Sequence, residues 1–552
     1  MKGGGVQLKQ DSAQRVYWIC ALFLFFAGMI LVRFGTLQFS GIHTGAARGA
    51  RIMSFENGSS SRERGEIFLQ DRFSVRTPLA MNKDFYTITA DPRHVVDREA
   101  AARSLAEILA VPHESVRSKL LKENDPYEVL AAKVPSEIAE RIKDLKLDGI
   151  HFEEERGRYY PYQRMASHIT GFLGVRGDVR AGQYGLEGFY DDELRDEGGP
   201  EKLVLSIDPN IQFKIEDSLR HVLEKWEASS GSVIVMDPAT GKIFGMANYP
   251  DFNPNEYSKT EDASLFINSS ASGQFELGSV FKPIVMAIGV NEKVITPETT
   301  YEDTGQVAIS GYNIRNFDGK AHGIKTMTEV LENSLNTGLV FVQQKIPKET
   351  MRAYIAQFGF GAKTGIDLQG EAKGDVSNLR KDKDLEFATA AFGQGISMTP
   401  LQMITAFSAI ANKGILMKPE IADKKVFRNG TEIAVDPVAV RRVITQDTAS
   451  ALTKMLVSTV ENGYDTAKIK GYFVAGKTGT AEISDQATGK YLLDETLHTF
   501  VGYAPAYHPS FSVLIKIDRP KGVRFASSSL APVFADIMSY LLTYYEIPPD
   551  LK

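Results

Sequence analysis

Apolar residues run unbroken in one short stretch near the start of the chain and alternate with polar ones almost everywhere else. Val16 to Val32, VYWICALFLFFAGMILV, is seventeen residues without a charge. As a helix it would span about 25 Å, just short of a roughly 30 Å hydrocarbon core. Arg33 can snorkel and FGTLQF prolongs the apolar run, so the pattern predicts a membrane anchor over 16–38. A cleaved leader would have a shorter apolar region and small residues at its cleavage point, whereas Arg33, Phe34 and Leu37 follow here. Lys2, Lys9 and Arg15 precede the run against a single Asp11. That asymmetry places residues 1–15 in the cytoplasm and the rest outside a single-pass cytoplasmic-membrane span.

Beyond a Gly-, Ser- and Arg-rich stretch from Gly41 to Arg64, the periodicity changes repeatedly. FYTITADP alternates as a strand does, and DREAAARSLAEILAV has helical spacing. PSEIAERIKDLKL predicts a second amphipathic helix with Ser136 as its N-cap. These elements read as a pedestal or binding domain over 39–200, closing near Asp196–Lys202, DEGGPEK. After it, GSVIVMDPATGKIFGMANYP predicts a hairpin turning at Asp237 to Gly241. TFVGYAP and FSVLIKID predict a second antiparallel pair, and APVFADIMSYLLTYY a closing helix. Between the hairpins the pattern is mostly helical, including MTPLQMITAFSAIAN with Thr399 as N-cap and Pro400 at the first helical position. Strands at both ends with helices between them predict an α+β domain over 201–552, an antiparallel sheet whose first and last strands meet.

Charge and composition narrow the function classes. The chain has 552 residues and a formal net charge of -6, with both signs spread along it, which argues against a nucleic-acid-binding role. The one cysteine, Cys20, falls in the predicted span, so no disulfide forms within the chain. The nine histidines show no metal-type cluster; His498 and His508 are near each other but lack cysteine or paired carboxylates beside them, and no metal or cofactor is expected.

Three short strings in fixed order carry the candidate chemistry. The first is Ser279-Val280-Phe281-Lys282, the second Ser334-Leu335-Asn336, the third Lys477-Thr478-Gly479-Thr480. Ser-x-x-Lys, Ser-x-Asn and Lys-Thr-Gly together form a known nucleophilic set. If Ser279 starts a helix, Lys282 shares its face, and the helix N-terminus favours an alkoxide while disfavouring a charged lysine. Alone, the pair also reads as a capping serine and a solvated lysine. Ser334 and Asn336 fall where the helical TEVLENSL gives way to Asn336-Thr337-Gly338, which also reads as a helix C-cap. Lys-Thr-Gly occurs twice. Lys363-Thr364-Gly365 lies in a glycine-rich, turn-like stretch, whereas Lys477-Thr478-Gly479 follows an apolar run and precedes a strand pair. An edge strand there could offer N–H groups to an extended peptide, with Lys477, Thr478 and Thr480 suited to a carboxylate.

With these strings in this order, the chain resembles a class B penicillin-binding protein, a peptidoglycan D,D-transpeptidase, along nearly its whole length. RGEIFLQDR (Arg64 to Arg72), GQYGLEGFYDDEL (Gly182 to Leu194), AFGQGISMTPLQM and TGIDLQGE resemble further family strings. The first departs from the family in its inserted FLQ, and Phe392 stands where tyrosine is commoner. Asn336 and RYYPYQRMASHITGFLG resemble the division, FtsI-like, branch; the elongation branch is the alternative.

The resemblance implies catalytic roles for Ser279, Lys282, Ser334, Asn336 and Lys477, substrate binding by Thr478, Gly479 and Thr480, and an oxyanion hole of the Ser279 and Thr480 backbone N–H groups. It implies stem peptides as substrates, β-lactams as covalent inhibitors, and a SEDS-family, FtsW-like glycosyltransferase and other division proteins as partners. A hydrolase built on the same site and a non-catalytic penicillin sensor are the rivals. The hydrolase would need a base for its water, and Glu371 in LQGEAKG is the one candidate, against a loop-closing role.

Overall fold

The computed structural model of the protein describes residues 63–122, 125–177, 179–484 and 491–550. The predicted anchor over 16–38 lies outside them, and among the described residues no helix is long and apolar enough to cross a membrane.

The N-terminal strands are β1 (Glu66–Gln70) and β2 (Arg76–Ala90), which form a hairpin. The alternation in FYTITADP falls in the far half of β2, where Phe85, Ile88 and Ala90 are buried. Helix α1 (Arg98–Leu109) starts where the Asp97 side chain accepts from the Ala100 N–H, and it buries Ala101, Ala102 and Leu105. Next come β3 (Glu128–Pro135), α2 (Ser136–Lys143) and β4 (Ile150–Tyr159), with β3 and β4 both antiparallel to β2. Ser136 is not the N-cap of α2 but its first residue. Pro135 ends β3 opposite Phe85 and occupies the cap, its fixed φ leading straight into the helix. The Ser136 hydroxyl donates to the Asp84 carbonyl instead.

Strand β5 (Lys202–Leu205) runs parallel to β1, with Leu203 opposite Ile67. Helix α3 (Pro209–Lys225) follows, capped by Asp208. The predicted hairpin is β6 (Ser230–Met236) and β7 (Ile243–Tyr249); Asp237 holds its turn by accepting from the Ala239 N–H and the Thr240 hydroxyl. A short 3-10 turn, Gly278–Phe281, leads into α4 (Lys282–Asn291). Helices α5 (Met327–Glu332), α6 (Asn336–Lys345) and α7 (Pro400–Ala411) come next. The Thr399 and Gln402 side chains cap α7 reciprocally, and every one of its residues is buried. The chain ends with β8 (Ala422–Val426), β9 (Glu432–Ala434), α8 (Gln446–Gly463), β10 (Ala475–Ser484), β11 (Tyr491–Ala504), β12 (Phe511–Asp518) and α9 (Ala531–Tyr544).

Two sheets organise these elements. The larger is ordered β9-β8-β5-β1-β2-β3, with β4 also on β2, so strands from both sides of DEGGPEK share it. The other is antiparallel in the order β10-β11-β12-β6-β7; β12 meets β6 with Leu514 opposite Ile234, so first and last strands pair as the pattern predicts. This sheet is covered on both faces. Val513 and Ile515 pack with α3 and α9, while Leu514 packs with the cluster that includes Ile284 of α4 and Ile404 of α7. Burial on both faces is why FSVLIKID reads as a nearly continuous apolar run. Each buried Leu, Ile or Phe contributes about 1.5–3 kcal/mol, and this core fixes α4, whose preceding turn Gly278–Phe281 lies against the edge strand β10.

Candidate active site

The three strings converge on one cleft of about 1160 Å³, lined by Ser279, Ser334, Asn336, Thr478 and Thr480 among others. The helical region supplies the first two strings and the sheet the third.

Ser279 sits in the 3-10 turn before α4. Val280, Phe281 and most of α4 are buried, so the lysine that opens the helix is drawn inside with them: Lys282 is 0 % exposed. Its amine lies against Ser334, donating to the Ser334 carbonyl and, at 3.2 Å, to Ser334 Oγ. The expectation placed Lys282 on the Ser279 hydroxyl through a shared helix face; the structure places its amine on the second string instead.

Ser334 owes its position to a break between helices. Helix α5 ends at Glu332, Ser334 takes φ +54, and α6 begins at Asn336. Asn336 is thus the first residue of a helix rather than the cap of one. A non-glycine residue in the left-handed region costs about 1–2 kcal/mol, and here that turn aims both Ser334 oxygens at Lys282. The Asn336 amide donates to the Arg315 carbonyl at 2.9 Å. That loop is pinned by a buried network in which the Thr337 hydroxyl donates to Asp303 and the Asn316 amide donates to the other Asp303 oxygen.

β10 is an edge strand. Lys477 is fully buried, and its Nζ donates to Ser334 Oγ at 3.1 Å, to Tyr464 Oη at 2.8 Å and to the Thr478 carbonyl at 3.2 Å. Tyr464 Oη also accepts from Thr478 Oγ1. Thr480 Oγ1 accepts from the Ala526 N–H, keeping its own proton for another partner. Tyr464 was not singled out from the sequence; it follows Gly463 at the end of α8 in no recognisable motif.

Gly479 and Gly278 let strand and turn touch. A Cβ on Gly479 would lie 2.5 Å from the Leu277 carbonyl, and one on Gly278 would lie 3.4 Å from the Thr480 carbonyl. The backbones of Ser279 and Thr480 are therefore held side by side.

The electrostatics follow from burial. Among the described residues neither Lys282 nor Lys477 meets a carboxylate, yet both approach one serine oxygen. Burial, and next the positive charge of Lys477, hold the Lys282 amine well below the usual lysine range. Two uncompensated ammonium groups in one dry site are costly, and releasing the Lys282 proton relieves this. As a free amine, Lys282 becomes an acceptor, and the Ser334 hydroxyl can donate to it. The second copy of Lys-Thr-Gly lies outside the cleft. Glu371 accepts there from the Thr364 N–H and hydroxyl and from the Gly365 N–H.

The chain matches known proteins over the same ground. Residues 231–539 match the penicillin-binding protein transpeptidase domain, and residues 59–216 the penicillin-binding protein dimerisation domain. Stage V sporulation protein D of Bacillus subtilis is 33% identical, covering 96% of this chain and 86% of that protein. The peptidoglycan D,D-transpeptidase FtsI of Escherichia coli K12 is 29% identical over 98% of this chain and 94% of its own length. Penicillin-binding protein 3 of Mycobacterium tuberculosis, in a crystal structure with aztreonam, superposes with a TM-score of 0.69 at 25% identity, covering 88% of this chain and 97% of that one. With the transpeptidase match alone spanning more than half of its residues, the chain belongs to the penicillin-binding proteins.

Proposed function

We propose that the protein is a peptidoglycan D,D-transpeptidase that works through an acyl-enzyme on Ser279. The observation that carries this is the pair of buried lysines meeting on Ser334 Oγ in the cleft that Ser279 lines. Ser279 Oγ attacks the carbonyl of the penultimate D-Ala of a donor stem peptide. A C–O bond forms, the C–N bond to the terminal D-Ala breaks, and the Ser279 proton passes to Lys282. From there Ser334 Oγ relays it to the departing amine. An amine of a second stem peptide then attacks the ester, its proton returning to Ser279 by the same route. Backbone N–H groups of Ser279 and Thr480 hold the oxyanion, each worth about 3 kcal/mol. Lys477, Thr478 and Thr480 hold the terminal carboxylate across Gly479, and Asn336 holds the donor amide. A β-lactam enters as an acyl donor whose leaving group stays tethered.

The apolar segment 16–38 anchors the catalytic part outside the cytoplasmic membrane after a cytoplasmic tail of residues 1–15. The pedestal over 39–200 and the transpeptidase domain over 201–552 act beside a SEDS-family, FtsW-like glycan polymerase. Asn336 and the likeness to FtsI favour a septal role. The 33% identity to a protein named for sporulation favours a second reading, synthesis in a spore envelope. Septal against spore-envelope localisation of a fluorescent fusion separates the two. The test of the chemistry is labelling with a fluorescent penicillin and mass spectrometry of the labelled peptide. The label should map to Ser279 and vanish in a folded Ser279→Ala variant, while the wild type forms cross-linked dimers from stem peptides. A label on Ser334 would overturn the assignment, and labelling without cross-linking would make the protein a sensor.

A further inference from the structure

A second cleft, of about 510 Å³, opens beside the catalytic one, and Glu482 and Leu492 line both. They meet at the end of β10, two residues beyond Thr480. On its other side the second cleft is lined by Phe275 and Glu276, in the segment that leads into the Ser279 turn. The chain leading into the nucleophile turn thus walls the second cleft, and the chain beyond Thr480 walls both.

Apolar and charged groups are distributed unevenly in this cleft. Phe275, Ile483, Leu492 and Leu497 give it a wall suited to an aliphatic chain. Of its charges, Asp518 is paired with the buried Lys516 and Arg519 with Glu495. Burial holds the His168 pKa at about 4, so it is neutral. Glu276 and Glu482 remain, and among the described residues neither faces a lysine or arginine in an ion pair. The Glu276 carboxylate accepts from Tyr491 Oη at 3.0 Å. Burial pushes the Tyr491 hydroxyl pKa up, and the charges of Glu276 and then Glu482 add to it, so both carboxylates bear on one spot. Burial raises the Glu276 carboxyl as well, against the opposing bonds from Tyr491 and Gly395. A partly dry carboxylate without a cation is unfavourable, and a cation supplied from outside would correct it.

We infer that this cleft seats a primary ammonium on an aliphatic side chain of a stem peptide, with Glu276 and Glu482 as its counter-charges. The inference rests on the acyl-transfer reading, in which the acceptor presents such a group; seated as an ammonium, it gives one proton to a carboxylate of the cleft before its free amine attacks the ester. A donor stem could carry the same group as it runs past Thr480 toward Glu482. The two sources share one chemistry and differ in the step they affect, acylation for the donor and aminolysis for the acceptor.

The test uses the full-length protein in detergent. Donors are two thioesters that differ only in a lysine or a norleucine beside the D-alanyl unit. Acceptors are Nα-acetyl-lysine amide and hydroxylamine, the latter uncharged at neutral pH. Glu276→Gln, the exposed Glu482→Gln and the double variant are compared with wild type, and penicillin labelling of Ser279 reports that each is folded. If the donor supplies the ammonium, each single change should lower the lysine-over-norleucine preference in acylation about tenfold. If the acceptor supplies it, the lysine-amide-over-hydroxylamine preference should fall by a similar factor. Loss of either preference supports the subsite. The inference is overturned if the double variant keeps both preferences, or if the two donors and the two acceptors each lose rate together. A wild type that takes no penicillin label would remove the acyl-transfer reading and this inference with it.

Discussion

Lys363-Thr364-Gly365 and Lys477-Thr478-Gly479 are the same tripeptide in two surroundings. At the first, Lys363 is exposed and Glu371 reaches back from the same loop to take the N–H groups of Thr364 and Gly365 and the threonine hydroxyl. At the second, the lysine is fully buried, among the described residues no carboxylate pairs with it, and the strand lies at a sheet edge beside the nucleophile turn. The donors are the same; what differs is whether a carboxylate of the chain already occupies them. A tripeptide becomes an anion site only where no carboxylate of the chain already takes its donors: at the edge strand Lys477 and Thr478 rest on neutral oxygens of Ser334 and Tyr464, which a substrate carboxylate can displace, whereas the closed loop brings its own Glu371.

Exchanging the lysines should separate the copies most sharply. Lys477→Met should slow penicillin acylation more than about a hundredfold, whereas Lys363→Met should leave it within about twofold. The pH profile extends the contrast. Lys282 acts as a free amine, so acylation rises with pH through its lowered pKa. Lys477 contributes to that lowering after burial. Removing the Lys477 charge should therefore move the acid limb of residual acylation to higher pH, while Lys363→Met leaves it in place. A limb that stays put in Lys477→Met would show that the two lysines do not act on one another.

The distinction between the copies was legible in the sequence because it is local: glycines crowd Lys363, and apolar residues and a strand pair flank Lys477. Locality also made the 231–250 hairpin, the start of α7 and the closing helix readable. What escaped depends on distant pairing. Nothing near Lys202 or Ala422 announces that β5 and β8 join the sheet of β1. Tyr464 meets Lys477 only through the packing of α8 on β10. Lys282 was expected on Ser279 from its spacing along one helix, but its amine is taken by Ser334, fifty-two residues away. The left-handed turn at Ser334 that makes this possible has no signature in Asn-Ser-Leu-Asn.

The glycines give the next contrast. At Gly479 a Cβ would lie 2.5 Å from the Leu277 carbonyl, a backbone atom of the nucleophile turn, so turn and strand must part. Gly479→Ala should lower acylation at least about tenfold, since a small misplacement of reacting groups is costly. Gly365 has φ +83 and no neighbour closer than 3.6 Å to an added Cβ. Gly365→Ala should cost only the left-handed conformation, about 1–2 kcal/mol, read as a lower Tm with acylation unchanged. If the two alanine variants acylate alike, the close approach at Gly479 does not matter to the chemistry.

Glu371 supplies the smallest effect on activity and decides between transferase and hydrolase. Three hydrogen bonds from Thr364 and Gly365 already occupy its two oxygens, it is 8% exposed, and it is absent from the lining of the catalytic cleft. A base for deacylation needs a free lone pair aimed at a water beside the ester. Glu371→Gln keeps the volume but turns one acceptor into a donor facing N–H groups. It should cost about 1–3 kcal/mol of stability, seen as a lower Tm. Acylation by penicillin and the lifetime of the acyl-enzyme in a chase should both stay at wild-type values, and that lifetime should far exceed the time needed to form the label. Rapid loss of label in the wild type, abolished by Glu371→Gln, would mean that the loop carboxylate reaches the ester and that water, not an amine, is the natural acceptor.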